Sequence, residues 1–186
     1  ASPTDLPTPR WGCAATWAGT ELNQNAMEPT PHNDDINFYI HGGKDASGSM
    51  LGDLWRGSIT WSAADTHLVC QWRRVLAGSN DSKRFGHTML YDPGVTSSSQ
   101  GSPGAPRGKV VIYGGVTSTG TLAANDSVYV VGVGSGSWHK GDWRALHPSG
   151  SAPPGRMWHA MTAAARGDAN GRDRDNYVFG GETANG

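Results

Sequence analysis

Long apolar runs and an excess of charge of either sign are both missing from this 186-residue sequence. The longest apolar runs, such as 109–113, reach only about five residues, whereas a membrane-spanning helix needs about 20. Fifteen Lys and Arg residues stand against sixteen Asp and Glu residues. No basic excess is therefore available to neutralise a phosphate backbone. The sequence predicts neither a membrane span nor a nucleic-acid partner.

Potential metal ligands are few and are not spaced as metal ligands usually are. The seven histidines include no His-x-His or His-x₃-His pair, and the two cysteines, Cys13 and Cys70, are 57 residues apart. No nucleophile, base and orienting group can be assembled from the sequence either. We therefore expect no metal, no cofactor and no catalytic site.

Glycine is abundant by contrast, and it recurs in an ordered way. Short strand-like segments separated by glycine predict an all-β protein with little helix. A Gly-Gly pair follows such a segment three times, and a strand that reverses close to another backbone needs a positive φ and no Cβ. A structural role is therefore expected for Gly42, Gly43, Gly114, Gly115, Gly180 and Gly181.

Three further markers recur in the same order around the Gly-Gly pairs. An Arg-led segment precedes each pair, a Trp-Arg dipeptide precedes the second and third arginines, and an Asp follows the first and second pairs. The arginines are Arg10, Arg84 and Arg156, the tryptophans are Trp72 and Trp143, and the aspartates are Asp53 and Asp126. Chance explains such an ordered set poorly, so the sequence is interpreted as a repeat.

Each repeat unit is predicted to contain four strands. The first strand follows the Arg, as in 86–91, and the second ends at Gly-Gly, at 37–41, 110–113 and 176–179. The third strand follows the Asp, as in 53–59 and 127–133, and the fourth contains the Trp-Arg dipeptide. The units span 9–80, 81–152 and 153–186, with the last one truncated. Variable connections at 18–36, 92–108 and 166–175 have loop composition.

These markers resemble those of the Kelch-repeat family. The resemblance rests on the strand-then-Gly-Gly signature, the Arg-led starts at 84–87 and 156–159 and the spaced tryptophans, and it extends over nearly the whole chain. It implies a β-propeller of four-stranded blades, here an incomplete ring of two full blades plus half a blade. A longer protein or another chain would then supply the remaining blades. Cys13 replaces the expected His, and the period of about 72 residues exceeds the family's roughly 50.

The resemblance places the three arginines near the propeller axis, on the face that also bears short, constant loops. We expect Trp72 and Trp143 to pack between blades. The arginines either link adjacent blades or form a cationic rim for a carboxylate or acidic peptide. The predicted binding set on this face is Arg10, Arg84, Arg156, Lys44, Asp45 and Glu182.

A non-catalytic protein-interaction scaffold is the leading functional hypothesis. A copper enzyme resembling galactose oxidase is a second hypothesis, because Cys13, Tyr91, Tyr129 and His87 offer the residue types, although no motif connects them. A carbohydrate-binding domain is a third, with sugars stacking on Trp11, Trp17 or Trp158.

The two cysteines are predicted to be free thiols. In the repeat they belong to the first and fourth strands of one blade, about 14 Å apart at about 4.8 Å per strand. A disulfide needs Cα atoms within about 7 Å. Nothing in the cysteines then indicates secretion, so a cytoplasmic location is expected and an extracellular one stays open.

Overall fold

A computed structural model describes residues 6–19, 36–61, 67–92, 108–123, 128–133, 143–146, 149–165 and 174–184. Within these residues the protein is all-β and contains no helix. Accordingly, no described segment is a helix long and apolar enough to cross a membrane. The strands are β1 (Ala14–Gly19), β2 (Ile36–His41), β3 (Leu54–Trp61), β4 (Leu68–Leu76), β5 (Arg84–Phe85), β6 (Thr88–Asp92), β7 (Lys109–Tyr113), β8 (Val116–Thr117), β9 (Val128–Gly132), β10 (Trp143–Leu146), β11 (Arg156–Met157), β12 (Ala160–Ala165), β13 (Arg174–Phe179) and β14 (Glu182–Thr183).

Two four-stranded antiparallel sheets contain most of these strands. The first sheet has the order β1-β2-β3-β4 and the second the order β6-β7-β9-β10, so each follows the chain without a crossover. In the third unit β12 pairs with β13. Short ladders, β5 with β8 and β11 with β14, connect the second and third Arg-led segments to the residues after their Gly-Gly pairs, and a single bridge between Trp11 and Lys44 does so in the first unit.

The strands predicted to end at Gly-Gly pairs are confirmed. β2, β7 and β13 each end at the residue directly before their Gly-Gly pair. The pairing register also places the two tryptophans at the same rung of their sheets. Trp72 pairs with Gly57, which pairs with Phe38, whereas Trp143 pairs with Val131, which pairs with Val110. Phe38 and Val110 both lie four residues before a Gly-Gly pair, so the repeat extends to the pairing of individual residues.

The predicted first strand of each unit is wrong in its start. In the second unit the prediction was 86–91, but β6 begins only at Thr88, because Gly86 has a φ of 67° and leaves the extended conformation; Gly86 thereby separates β6 from the two-residue strand β5. In the first unit β1 begins at Ala14, so Cys13 lies just before the strand and not within it. Most of the predicted variable connections, and Asp126, lie outside the described residues.

The hydrophobic core lies between the first and second sheets. Tyr39 of β2 stacks on Tyr91 of β6, with ring centroids 5.9 Å apart and planes 21° apart. Leu54, Ile112 and Val131 are fully buried beside them. Between the second and third units, Val111 occupies the rung that Tyr39 occupies in the first unit, and it lines an open cavity of about 330 Å³.

Candidate functional site

Each repeat arginine caps the end of its own unit's second strand. The Nη1 atom donates a hydrogen bond to the carbonyl oxygen of the first glycine in the Gly-Gly pair. These bonds are Arg10 to Gly42 at 3.1 Å, Arg84 to Gly114 at 3.2 Å and Arg156 to Gly180 at 2.7 Å. The guanidinium therefore satisfies a carbonyl that the strand leaves free at its end.

Two of the arginines, Arg84 and Arg156, also connect neighbouring units through their backbone. Gly43 N–H donates to the carbonyl of Arg84 and Gly115 N–H to the carbonyl of Arg156, both at 2.8 Å. A side chain does not fit at the first position of the first two pairs. A Cβ on Gly42 would lie 2.6 Å from the Arg84 oxygen, and one on Gly114 would lie 2.5 Å from the Arg156 oxygen.

Burial differs among the arginines. Arg84 is 1% exposed. Arg10 forms a two-point ion pair with Asp53, at 2.6 and 3.0 Å, and Trp55 Nε1 also donates to that carboxylate. Burial opposes ionisation of Asp53, but the hydrogen bonds from Arg10 and Trp55 outweigh it and lower its pKa. The side chains of Arg10 and Arg84 therefore make structural contacts within the fold. A binding role for the three arginines stays a prediction.

A chain of backbone hydrogen bonds joins the three units where the first strand is interrupted. Gly86 N–H donates to the Gly12 carbonyl at 2.9 Å, and Trp158 N–H donates to the Gly86 carbonyl at 2.8 Å. These three residues all have a positive φ, of 64°, 67° and 57°. Trp158 is the only non-glycine residue with a positive φ in the described structure.

Four side chains around this hydrogen-bonded chain form an aromatic and basic patch, here called the Trp surface: Trp11, Lys44, Phe85 and Trp158. The Phe85 ring meets Trp11 and Trp158 edge-on, with centroid distances of 5.8 and 6.0 Å. The Lys44 ammonium lies 3.9 Å from the Phe85 centroid and 5.5 Å from that of Trp11. Trp11 and Trp158 remain 53% and 52% exposed, so the patch faces solvent.

The predicted loop residues Lys44, Asp45 and Glu182 follow the Gly-Gly pairs of the first and third units. Lys44 is held by two backbone hydrogen bonds with Trp11, and Glu182 pairs with Met157 at the equivalent place in the third unit. The Asp45 carboxylate accepts bonds from Ser47 and Ser49, and the Ser47 hydroxyl lowers its pKa. The structure therefore gives Asp45 a role in shaping the turn.

Phe85 is the member of the Trp surface that sequence reasoning missed. The convergence of Trp11 and Trp158 on it was missed as well. One signal was present, because Trp158 stands where the first and second units have Gly12 and Gly86. Trp17, the third candidate for sugar stacking, lies on β1 and has no ring contact with this patch among those described.

Histidines fill the junctions between units. His41 Nδ1 lies 3.0 Å from His87 Nε2, and Thr88 Oγ1 lies 2.7 Å from His159 Nε2. Burial, reinforced by the Arg84 charge, lowers the pKa of His41 to about 3. Burial also lowers the pKa of His87 and of His159. All three are neutral rings near neutral pH.

The residues considered for copper are dispersed into structural roles. His87 bonds to His41, Tyr91 stacks on Tyr39, and Cys13 is a free, half-buried thiol. The side chain of Tyr129 lies outside the described part. No group of three or more His, Cys, Asp or Glu residues that could bind a metal occurs among the described residues. Cys70 is free and exposed.

Comparisons with known proteins add no assignment: no protein-family model matches the sequence, and no curated protein matches it.

Proposed function

We propose that this chain is part of a Kelch-type β-propeller and acts as a non-catalytic scaffold that binds an acidic segment of a partner protein. The observation that supports this most is the Trp surface. It presents two half-exposed indoles and one ammonium group on the face bearing the short loops. Remaining blades would come from the same, longer protein or from another chain.

Two sheets of four antiparallel strands, each in chain order, support the propeller. So does the junction between units, which occurs twice with the same atoms, from Gly43 to Arg84 and from Gly115 to Arg156. Blades of a propeller contact only their neighbours through repeated interfaces of this kind.

The backbone of Trp158 supports a binding role for the patch. A left-handed conformation costs an ordinary residue about 1–2 kcal/mol, and glycine avoids this cost in the first and second units. A large, half-exposed aromatic residue in a strained conformation is typical of positions that serve a ligand. Trp158 packs one part of its indole on Phe85 and leaves 52% of its surface exposed for a ligand.

Charge and rigidity favour an acidic peptide as the ligand. Lys44 supplies an ammonium beside the Trp11 indole, where it would meet a carboxylate, and the indoles would cover an adjacent apolar side chain. The neighbouring loop is already ordered, because Asp45 bonds to Ser47 and Ser49. A preformed surface loses little entropy on binding.

The proposal is tested by probing the chain with arrays of acidic and of neutral peptides. Trp158→Gly and Lys44→Ala should each weaken binding of acidic peptides at least about tenfold, in line with the loss of an interface anchor. Trp17→Ala is the matched control, because Trp17 is an exposed tryptophan outside the Trp surface. Urea denaturation of each variant verifies that the fold is kept.

Equal binding of acidic and neutral peptides would contradict the proposal, as would equal losses in Trp158→Gly and Trp17→Ala. A glycan array with hits that Trp158→Gly abolishes would favour the carbohydrate-binding hypothesis instead. Stoichiometric copper with a radical absorption band would favour the copper enzyme.

A further inference from the structure

The backbone groups of the Trp surface are already paired. Trp11 and Lys44 exchange two backbone hydrogen bonds, at 3.0 and 2.9 Å, and Phe85 pairs with Val116 in the ladder of β5 with β8. The interrupted first strands beneath the patch are also bonded to one another. A peptide that binds by adding a strand needs unpaired backbone groups at a sheet edge. A ligand of this patch is therefore recognised by side chains and not by strand addition.

Two indole N–H groups remain to hydrogen-bond such a ligand. Within the part of the chain that the structure describes, neither Trp11 Nε1 nor Trp158 Nε1 donates a hydrogen bond, and both side chains are half-exposed. An indole N–H only donates, so the ligand has to supply acceptors. The carbonyls of an α-helix are bonded within the helix, whereas those of a polyproline II segment have no internal partner. The two donors therefore favour a polyproline II segment over a helix.

The spacing of the indoles suits two prolines of one such segment. Phe85 contacts both indoles, with centroid distances of 5.8 Å to Trp11 and 6.0 Å to Trp158. The indoles are thus no farther apart than these two distances combined. Polyproline II has three residues per turn and rises about 3.1 Å per residue, so residues i and i+3 lie on one side about 9 Å apart. Prolines at that spacing fit one on each indole.

Lys44 places the charge of the ligand at one end of this pair. Its ammonium lies 5.5 Å from the centroid of Trp11, and none of the described cation contacts involves the Trp158 ring. A carboxylate that pairs with Lys44 therefore flanks the proline on Trp11. Proline also fixes φ before binding, so the segment loses little entropy when it docks.

We infer that the Trp surface binds a polyproline II segment of the pattern Pro-x-x-Pro with an acidic residue beside one proline. One proline ring packs on Trp11 and the other on Trp158, and the indole N–H groups donate to carbonyls of the segment. Phe85 keeps the two indoles at the required spacing. The inference rests on the proposed function, because it specifies the acidic segment proposed there.

Isothermal titration calorimetry with three synthetic peptides of identical composition tests the spacing. Each peptide contains one Glu and two prolines, and the second proline lies one, two or three residues after the first. The peptide with the i, i+3 spacing should bind at least about tenfold more tightly than the other two, because it alone reaches both indoles. Acidity by itself would give three equal affinities.

Variants of Trp158 connect the spacing to this residue. Trp158→Gly has the residue type that the first two units have at this position, so we expect it to fold. It should bind all three peptides with one weak affinity. Trp158→Phe keeps an aromatic ring and removes the N–H donor, and it should weaken binding of the i, i+3 peptide roughly threefold to tenfold. Trp17→Ala is the control and should change none of the affinities, because Trp17 lies outside the Trp surface.

Equal affinities of the three peptides for the wild type would overturn this inference. The proposed function would survive that result if acidic peptides still bound more tightly than neutral ones. The same preference for the i, i+3 spacing in Trp158→Gly as in the wild type would also overturn the inference. Binding of none of the peptides at millimolar concentration would overturn both proposals.

Discussion

Gly114 and Gly180 have nearly the same backbone conformation but different neighbours. Their φ angles are 69° and 68°, and only Gly114 lies against a carbonyl of the following unit. Replacing Gly180 with Ala should lower the free energy of unfolding by about 1 kcal/mol, the cost of a left-handed alanine. Gly114→Ala adds a collision with the Arg156 oxygen and should cost at least about 2 kcal/mol more. Urea denaturation compares the two, and equal losses would contradict the described junction.

Arg84 and Arg156 also differ by environment at the same repeat position. Arg84 is 1% exposed and bonds to the carbonyls of Gly114 and Asp81, whereas the bond from Arg156 to Gly180 lies at the surface. Arg84→Ala removes the donor to the buried Gly114 carbonyl and should lower the free energy of unfolding by about 2–3 kcal/mol. Arg156→Ala should cost under about 1 kcal/mol. Thermal melts of both variants check this order.

Sequence reasoning identifies the residue types at this scale but not their environments. The positive φ of the Gly-Gly pairs follows from local chain reversal, so it could be predicted. The burial of Arg84 depends on two units closing over it, and nothing in the local sequence distinguishes Arg84 from Arg156. The place of Phe85 in the Trp surface could not be predicted either, because its neighbours Trp11 and Trp158 are more than 70 residues away on either side.

At the scale of elements, the junction between the first and second sheets depends on neutral histidines. The pKa of His41 is about 3 when folded against 6.5 otherwise, so the unfolded chain binds a proton first as the pH falls. The contribution of the neutral His41 ring to the free energy of unfolding is fully present above about pH 6.5 and is lost progressively as the pH falls below that value. At about pH 5 the loss from His41 is about 2 kcal/mol. Urea denaturation at about pH 7.5 and 5 measures it.

His41→Gln supplies the control for this pH dependence. Glutamine retains a polar group for His87 and does not titrate in this range. The variant should be less stable near neutral pH but should lose about 2 kcal/mol less than the wild type between the two pH values. If the free energy of unfolding of His41→Gln depended on pH as that of the wild type does, the loss of stability would come from His87, His159 or the carboxylates instead.

The strands before the Gly-Gly pairs were predictable because their apolar residues and terminal glycines are adjacent in sequence. The interruption between β5 and β6 was not. It depends on Gly86 bonding to Gly12, a contact between segments 74 residues apart. Periodicity within a segment gives no information about such a contact, so 86–91 was predicted as one strand.

At the scale of the whole molecule, amide hydrogen exchange distinguishes a completed junction from an open one. The Gly43 and Gly115 amides donate across junctions at 2.8 Å, whereas the described structure shows no acceptor for the Gly181 amide. Gly43 and Gly115 should exchange slowly, near the rate set by global unfolding. Gly181 should exchange fast in dilute solution, and slow exchange there at every concentration would mean that another group covers it.

The hydrogen bonds at each junction also give the array of units a direction. The earlier unit donates from its second glycine, Gly43, to Arg84, and the later unit donates from Gly86 back to Gly12. The face of the earlier unit thus offers the Gly43 N–H and the Gly12 carbonyl, whereas the face of the later unit offers the Gly86 N–H and the Arg84 carbonyl. The two ends of any row of these units are consequently chemically distinct, as the ends of a polar filament are. A polypeptide with the Arg-led segment but without a Gly-Gly pair would join such a row at one end only, and would terminate it there.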